Sequence, residues 1–356
     1  MRPLLLLSLF LPIALAACSE RDRPLESPVR LEGEIFGSFY QVTIADSLTQ
    51  GEANALEEGI LAELSAVDAQ MSLYREDSEL SAFNRAPPGE WQPLSDPLIE
   101  VLAISRAVAQ RSDGAFDITL GGLVNLWSFG AEARPREVPD DDELQARLAE
   151  VGIDALELDE AEREARRTRD VTLDLGAVAK GYATDRVADF LDHEGVEHYL
   201  VNLGGDLLAE GYRDGEETPW RVGIEAPLED RQEAQHVVPL HDISVATSGN
   251  YRNYFEDDEG RRYSHTLDPR SGRPITHRLA SVSVFHESNA WADAWATALT
   301  VLGDEAGMKQ AEEEELAVLM IVRQDEGWSS RASPAFVERF GESLLDELGI
   351  EQQNQE

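Results

Sequence analysis

The sequence predicts an α+β fold: a single large domain with a mainly antiparallel sheet and flanking helices. Three observations carry that prediction. Strands come in hairpin pairs, alternating apolar and polar residues around turn residues, as at 29–45 around Gly37-Ser38 and at 199–209 around Gly204-Gly205. Helical stripes lie between groups of strands rather than after every strand, so there is no regular βαβ alternation. No internal repeat or linker divides residues 29–345, and 42% hydrophobic residues in 356 is ample for one core.

Taken in order, residues 52–70 form a helix with Leu56, Ile60, Leu64 and Val67 on one stripe. Residues 71–84 show little periodicity and read as a loop. Ser95 caps a helix with Pro97 in its first turn, and Asp113-Gly114 stops it after Arg111. A glycine-punctuated, aromatic-rich stretch follows at 114–130. A Pro- and Asp-rich loop at 131–142 then caps a short helix ending near Gly152. Residues 156–174 read as a hairpin, whose last strand alternates Val171, Leu173 and Leu175 with Thr172 and Asp174. Gly176 turns the chain, and from Ala177 the spacing becomes helical through Val178, Tyr182, Val187 and Leu191. Short strands follow at 221–225, 237–240, 243–246 and 280–286. The stretch 289–302 is a helix closed by Gly303, 304–315 an acidic helix, and 317–322 a buried strand. The C-terminus ends in a weak helix that frays into an acidic tail at 346–356.

The N-terminus points to export. Residues 4–11 are apolar but too few to span a bilayer, and they suit a signal-peptide core at 1–17. Leu15-Ala16-Ala17-Cys18 resembles a bacterial lipobox, which would make Cys18 the acylated first residue of the mature chain; the alternative is a plain signal peptide cut near Ala17. Cys18 is the only cysteine, so a mature domain has no disulfide, thiol nucleophile or Cys-ligated zinc. Polar, Pro-containing residues through 28 suit a flexible tether. The formal net charge of −40 argues against nucleic acid and against direct attraction to anionic lipid, leaving acyl chains as the membrane attachment. An anionic substrate would need a local cation.

Several residues could supply one. Lys180 lies in the first helical turn after Gly176, where free N–H groups and the helix dipole favour anions; it is one of two lysines, with Lys309. Asp293 and Thr297 lie four apart on one helix face among Ala290, Ala294 and Ala298, a pair of hard oxygen donors suited to Mg²⁺. The plainer alternative is a surface Asp and a back-bonded Thr. His265 stands just before an Asp-Pro, Ser-Gly turn, placed either as a rigid base or as a turn-stabilising residue. Phe36, Tyr74, Phe116, Trp127 and Phe129 could wall a planar ligand or simply fill a core. There is no HExxH, GxGxxG, Walker A or GxSxG motif.

The segments MSLYREDSELSAFN, DGAFDITLGGLVNLWSFG, DLGAVAKGYATD, ATSGNYRNYF, YSHTLDPRSGRPI and ADAWATAL occur in an order that resembles the ApbE family of FAD:protein FMN transferases. The resemblance covers roughly residues 29–325. It implies transfer of FMN from FAD to a Thr or Ser hydroxyl of a target protein through a phosphoester, with release of AMP and a need for Mg²⁺. It further implies FAD contacts from Phe36, Tyr74, Ala115, Phe116, Asp117, Asp174, Lys180 and Ile275. Magnesium would take Asp293, Thr297 and the Ala177 carbonyl. His265 is the expected general base, with a carboxylate at the metal as the other choice. Where members often carry Met-Gly-Thr, this chain has Phe36-Gly37-Ser38.

The nearest internal match to the family acceptor motif, Asp113-Gly114-Ala115-Phe116, lacks the needed hydroxyl. The acceptor is therefore expected to be another protein, such as a membrane redox subunit. The expected location is the periplasmic face of a membrane, with the inner membrane favoured by such acceptors and outer-membrane sorting left open by Ser19. The same residues would also suit an FAD pyrophosphatase, if water replaced the acceptor. A non-catalytic flavin-binding lipoprotein would need neither the metal ligands nor a base.

Overall fold

The computed structural model describes residues 21–132, 134–228, 231, 233–251, 253–257 and 259–350. Its frame is one eight-stranded sheet. The strands are β1 (Val29–Ile35), β2 (Ser38–Ile44), β3 (Tyr199–Leu203), β4 (Asp206–Glu210), β5 (Ile243–Gly249), β6 (Leu279–His286), β7 (Ala317–Arg323) and β8 (Trp328–Ala332). Spatial order follows chain order, and every neighbouring pair is antiparallel. The expected α+β fold with antiparallel sheet is therefore observed. The helices are carried by the long connections, chiefly the one between β2 and β3.

Four helices cover one face: α1 (Gln50–Met71), α2 (Asp96–Arg111), α3 (Ala179–His193) and α4 (Asn289–Leu302). Val42, Val201, Ala246, Val284 and Met320 meet Ile60, Leu64, Leu102, Val187 and Leu299 there in the main core. The other face is also covered. Phe285, Leu319 and Ile321 pack with Val222 and Val238 of the hairpin Trp220–Glu225/Ala234–Leu240 and with Phe336 of the helix Pro334–Phe340. Double coverage explains why β6 is buried from Leu279 to Phe285 despite its alternating sequence. The serine side of that strand lies under the second layer, and Ser283 hydrogen-bonds Thr247 across it. A third, smaller cluster joins Leu123, Trp127 and Leu144 to Phe255 and Leu267.

Four expectations change. Residues 79–85 form a helix rather than a loop, because Ser78 caps Ser81 N–H and the turn buries Leu80 and Phe83. Residues 171–175 are extended, with Val171, Leu173 and Leu175 buried, but they join no ladder beyond a bridge from Thr172 to Leu120. The Asn84 side chain takes the partner strand's place, accepting from Leu173 N–H and donating to Leu173 O. The helix Glu342–Leu348 runs past the expected domain end at 345 and Ile350 packs into the second core, while the rest of the expected acidic tail lies outside the described residues. The proposed tether is docked over its described part, where Leu25 N–H donates to Leu48 O and Gln50 N–H to Arg23 O. Strand β8 and the helix Pro334–Phe340 were not anticipated. The signal peptide and Cys18 lie outside the described residues.

Candidate functional site

The β1–β2 turn, the β3–β4 turn and the ends of β5 and β6 all lie at one end of the sheet, as the pairings Tyr40↔Leu203, Asn202↔Leu207 and Gly249↔Ser281 require. Helix α3 starts at that end, and α4 lies beside it. A cavity of about 1050 Å³ opens there. Phe36, Tyr74, Ala115, Phe116, Asp117, Asp174, Ala177, Lys180, His265, Asp293 and Thr297 all line it, which brings together residues scattered over most of the chain. Ile275 does not line it. That residue is buried behind the wall, its N–H donating to the carbonyl of Thr266, which does.

The wall that carries Asp293 and Thr297 is made where α3 crosses α4. Gly181 N–H donates to Asp293 Oδ2 at 3.1 Å. A side chain at Gly181 would put Cβ 2.4 Å from Asn289 O and 2.8 Å from Asp293 Cβ, so only glycine permits the approach. Asp185, one turn further along α3, caps α4 by accepting from Ser288 Oγ and from the N–H groups of Asn289 and Ala290. Thr297, one turn beyond Asp293, sits 3.1 Å from Ser248 Oγ at the end of β5. Thr297 thus faces the sheet rather than only its own helix.

Charge is concentrated here. Burial, then the nearby Asp206 carboxylate, pushes the Asp293 carboxyl up to about 7. Lys180 Nζ pairs with Asp206 Oδ2 at 3.0 Å, and Asp206 is only 1% exposed. Burial by itself would lower the Lys180 pKa; Asp206 and then Asp293 outweigh it and hold the ammonium charged. Two buried carboxylates facing one ammonium leave an excess of negative charge beside hydroxyl and carbonyl oxygens. That set fits a hard divalent cation, for which the lining residues Asp293, Thr297 and Ala177 could supply oxygens. No group of three or more His, Cys, Asp or Glu comes together among the described residues, so a cation here depends on those neutral oxygens.

The opposite wall is largely aromatic, with Asp117 and Asp174 among its residues. Phe116 lines it while only 2% exposed, whereas Tyr74 stands 80% exposed at the rim. Phe36 occupies the left-handed region at φ 54° in the β1–β2 turn, beside Gly37 at 69°. Asp117 Oδ1 accepts from Thr119 N–H and Oγ1, and Asp174 Oδ1 from Gly176 N–H. Burial pushes both carboxyls up.

His265 closes the cavity from the third cluster. Its Nδ1 lies 3.1 Å from Asn253 O, and its own N–H donates to the same carbonyl. A carbonyl can only accept, so Nδ1 carries the proton and the neutral ring presents Nε2 as a base. Burial pushes this histidine below its ordinary pKa. The Phe129 ring meets it edge-on at 6.3 Å between centroids.

A model of the ApbE family matches residues 36–320. The chain belongs to the ApbE family. A curated FAD:protein FMN transferase of Vibrio cholerae is 42% identical over 325 residues, spanning 91% of this chain and 95% of that protein. Its counterpart of the same name in Escherichia coli K12 is 36% identical over 326 residues, 90% and 92% of the respective chains. Among solved structures, the flavin transferase ApbE from Vibrio cholerae aligns with a TM-score of 0.80 at 39% identity, covering 88% of this chain and 99% of that one. Apo flavinyl transferase ApbE from Pseudomonas stutzeri gives 0.79 at 40% identity, covering 88% and 97%.

Four residues of this ApbE site were missed in the sequence. Asp206 follows the Gly204-Gly205 turn, read there only as a hairpin. Ser248 and Asn253 sit in a quoted motif without a role. Asp185 follows the helix start in DLGAVAKGYATD, and its spacing gives no sign that it reaches across to α4.

Proposed function

We propose that this chain transfers the FMN half of FAD to a Thr or Ser hydroxyl of another protein, forming a phosphoester and releasing AMP. The observation that carries this reading is a single cavity. It joins an aromatic wall, a lysine at a helix start, a carboxylate–hydroxyl pair and a histidine whose tautomer suits a base. The names of the relatives support the same chemistry.

The acceptor oxygen attacks the phosphorus on the FMN side of the pyrophosphate. The bond from that phosphorus to the bridging oxygen breaks, and AMP leaves with that oxygen. His265 Nε2 takes the hydroxyl proton. Lys180 and the start of α3 face the phosphates, while Tyr74 and Phe116 border the space for the isoalloxazine ring. Mg²⁺, held by Asp293, Thr297 and the Ala177 carbonyl, would neutralise pyrophosphate charge that otherwise repels the nucleophile. Asp174 and Asp117 orient the nucleotide by the edges they present to the cavity.

We also propose that Cys18 is acylated, so that the domain works tethered at the periplasmic face of a membrane on a redox subunit carrying a Thr/Ser acceptor motif. No helix among the described residues is long and apolar enough to cross a membrane. Incubation with FAD, Mg²⁺ and an acceptor subunit tests the main reading. Flavin fluorescence that stays with the denatured acceptor in a gel is expected. Free FMN and AMP alone would mean a pyrophosphatase, and unchanged FAD a binding protein.

A further inference from the structure

We propose that Asp206 is a positioning residue: it holds the Lys180 ammonium away from Asp293 and thereby leaves Asp293 open to the cation. The inference rests on the reading of Asp293 as a cation ligand.

The geometry is specific. Asp293 binds the N–H of Gly181, the residue next to Lys180, so a lysine and a metal carboxylate are neighbours across the α3–α4 contact. Left alone, a lysine on a flexible four-carbon stem would pair with that carboxylate. Instead the stem runs over the β3–β4 turn, where a Cβ on Gly204 would lie 3.6 Å from Lys180 Cδ. Its Nζ ends 3.0 Å from Asp206 at the start of β4. A carboxylate that is 1% exposed is costly unless paired, and Lys180 is the cation placed on it. The chain's other lysine, Lys309, is on the surface with Glu313.

One ammonium between two carboxylates can neutralise one of them. With Asp206 holding it, the ammonium is not paired to Asp293, whose oxygens stay open to a divalent ion. Without Asp206, the ammonium moves to Asp293, and a cation must displace it before binding.

The test compares the full chain with Asp206→Asn, Asp206→Glu and the double variant Asp206→Asn/Lys180→Met, using Mn²⁺ alone as the probe and the free-ion EPR signal as the readout. Asp206→Asn should bind Mn²⁺ about tenfold or more weakly, the loss expected when a nearby buried charge is removed. Asp206→Glu should keep binding. The double variant should regain it, because the competing ammonium is gone; a general packing defect would not be rescued this way. A crystal structure of Asp206→Asn should show Lys180 Nζ on Asp293. Unchanged Mn²⁺ binding in Asp206→Asn, or a double variant as weak as the single one, overturns the inference while leaving the cation site standing. Absence of Mn²⁺ binding by the parent chain overturns the cation reading of Asp293, and this inference with it. If Asp206→Asn does not fold, the double variant decides the matter, since removing a buried pair together leaves no orphaned charge.

Discussion

Gly181→Ala sets two effects of opposite sign against each other. Gly181 is the third residue of α3, and alanine in a helix is worth up to about 1 kcal/mol over glycine, so propensity alone predicts stabilisation. The added Cβ, however, would lie 2.4 Å from Asn289 O, 0.6 Å inside the 3.0 Å below which Cβ contacts are essentially never seen. The obstacle is backbone, which cannot rotate away, so α3 and α4 must separate. Overpacking of this kind costs about 1–3 kcal/mol, and an unyielding partner places it at the upper end. The net expectation is a loss of about 2 kcal/mol, read as a fall of roughly 3 °C in Tm for a chain of this size. Catalysis should suffer as well, because Asp293 Cβ is part of the same contact at 2.8 Å. A displacement of about half an ångström should cost roughly tenfold in FMN transfer, given that about 1 Å can cost a hundredfold. Urea denaturation and in-gel flavinylation measure the two effects. A variant at least as stable as the parent, with an unchanged transfer rate, would refute the claim that the helices touch through this glycine.

Asp293→Ala should abolish transfer even with excess Mg²⁺; parent-level turnover would remove Asp293 from the metal site. His265→Ala should slow transfer by about 10²–10⁴-fold, as for loss of a general base, with FAD affinity retained in a fluorescence titration. Because burial lowers the His265 pKa, its neutral form persists to more acid pH than in an ordinary histidine. With saturating Mg²⁺ the acid limb of the rate should therefore fall below about pH 6.5. The Mg²⁺ requirement should rise as pH drops through about 7, where protons begin to compete for Asp293. Asp185→Ala removes the acceptor for Ser288 Oγ and two N–H groups at the start of α4, and should cost about 1–3 kcal/mol in a denaturant titration. An unchanged midpoint would show that α4 needs no cap from α3.

Much of the site was legible because its residues fall in short contiguous motifs. Helix 289–302 was read to its observed bounds, since an apolar pattern closed by a left-handed glycine is a local signal. The same spacing put Asp293 and Thr297 on one face. Residues in one motif need not point the same way: His265 lines the cavity, whereas Ile275 does not and instead donates its N–H to the lining residue Thr266. Residues 171–175 show another limit. Their alternation matches the buried side, but no periodicity reveals that their partners are the Asn84 side chain and the backbone of Ile118 and Gly121.

By itself, the sequence determined the antiparallel α+β class, the family, and a carboxylate, hydroxyl, lysine and histidine that the structure brings to one cavity. These depend on turn chemistry, residue spacing and ordered motifs, all local along the chain. Tertiary structure alone decided that β1 to β8 lie in chain order, that both sheet faces are covered, and that Gly181 lets α3 reach Asp293. It also decided that Lys180 belongs to Asp206. A charge pair across two elements depends on which ends meet at one edge of the sheet, and that distance is written in no local pattern.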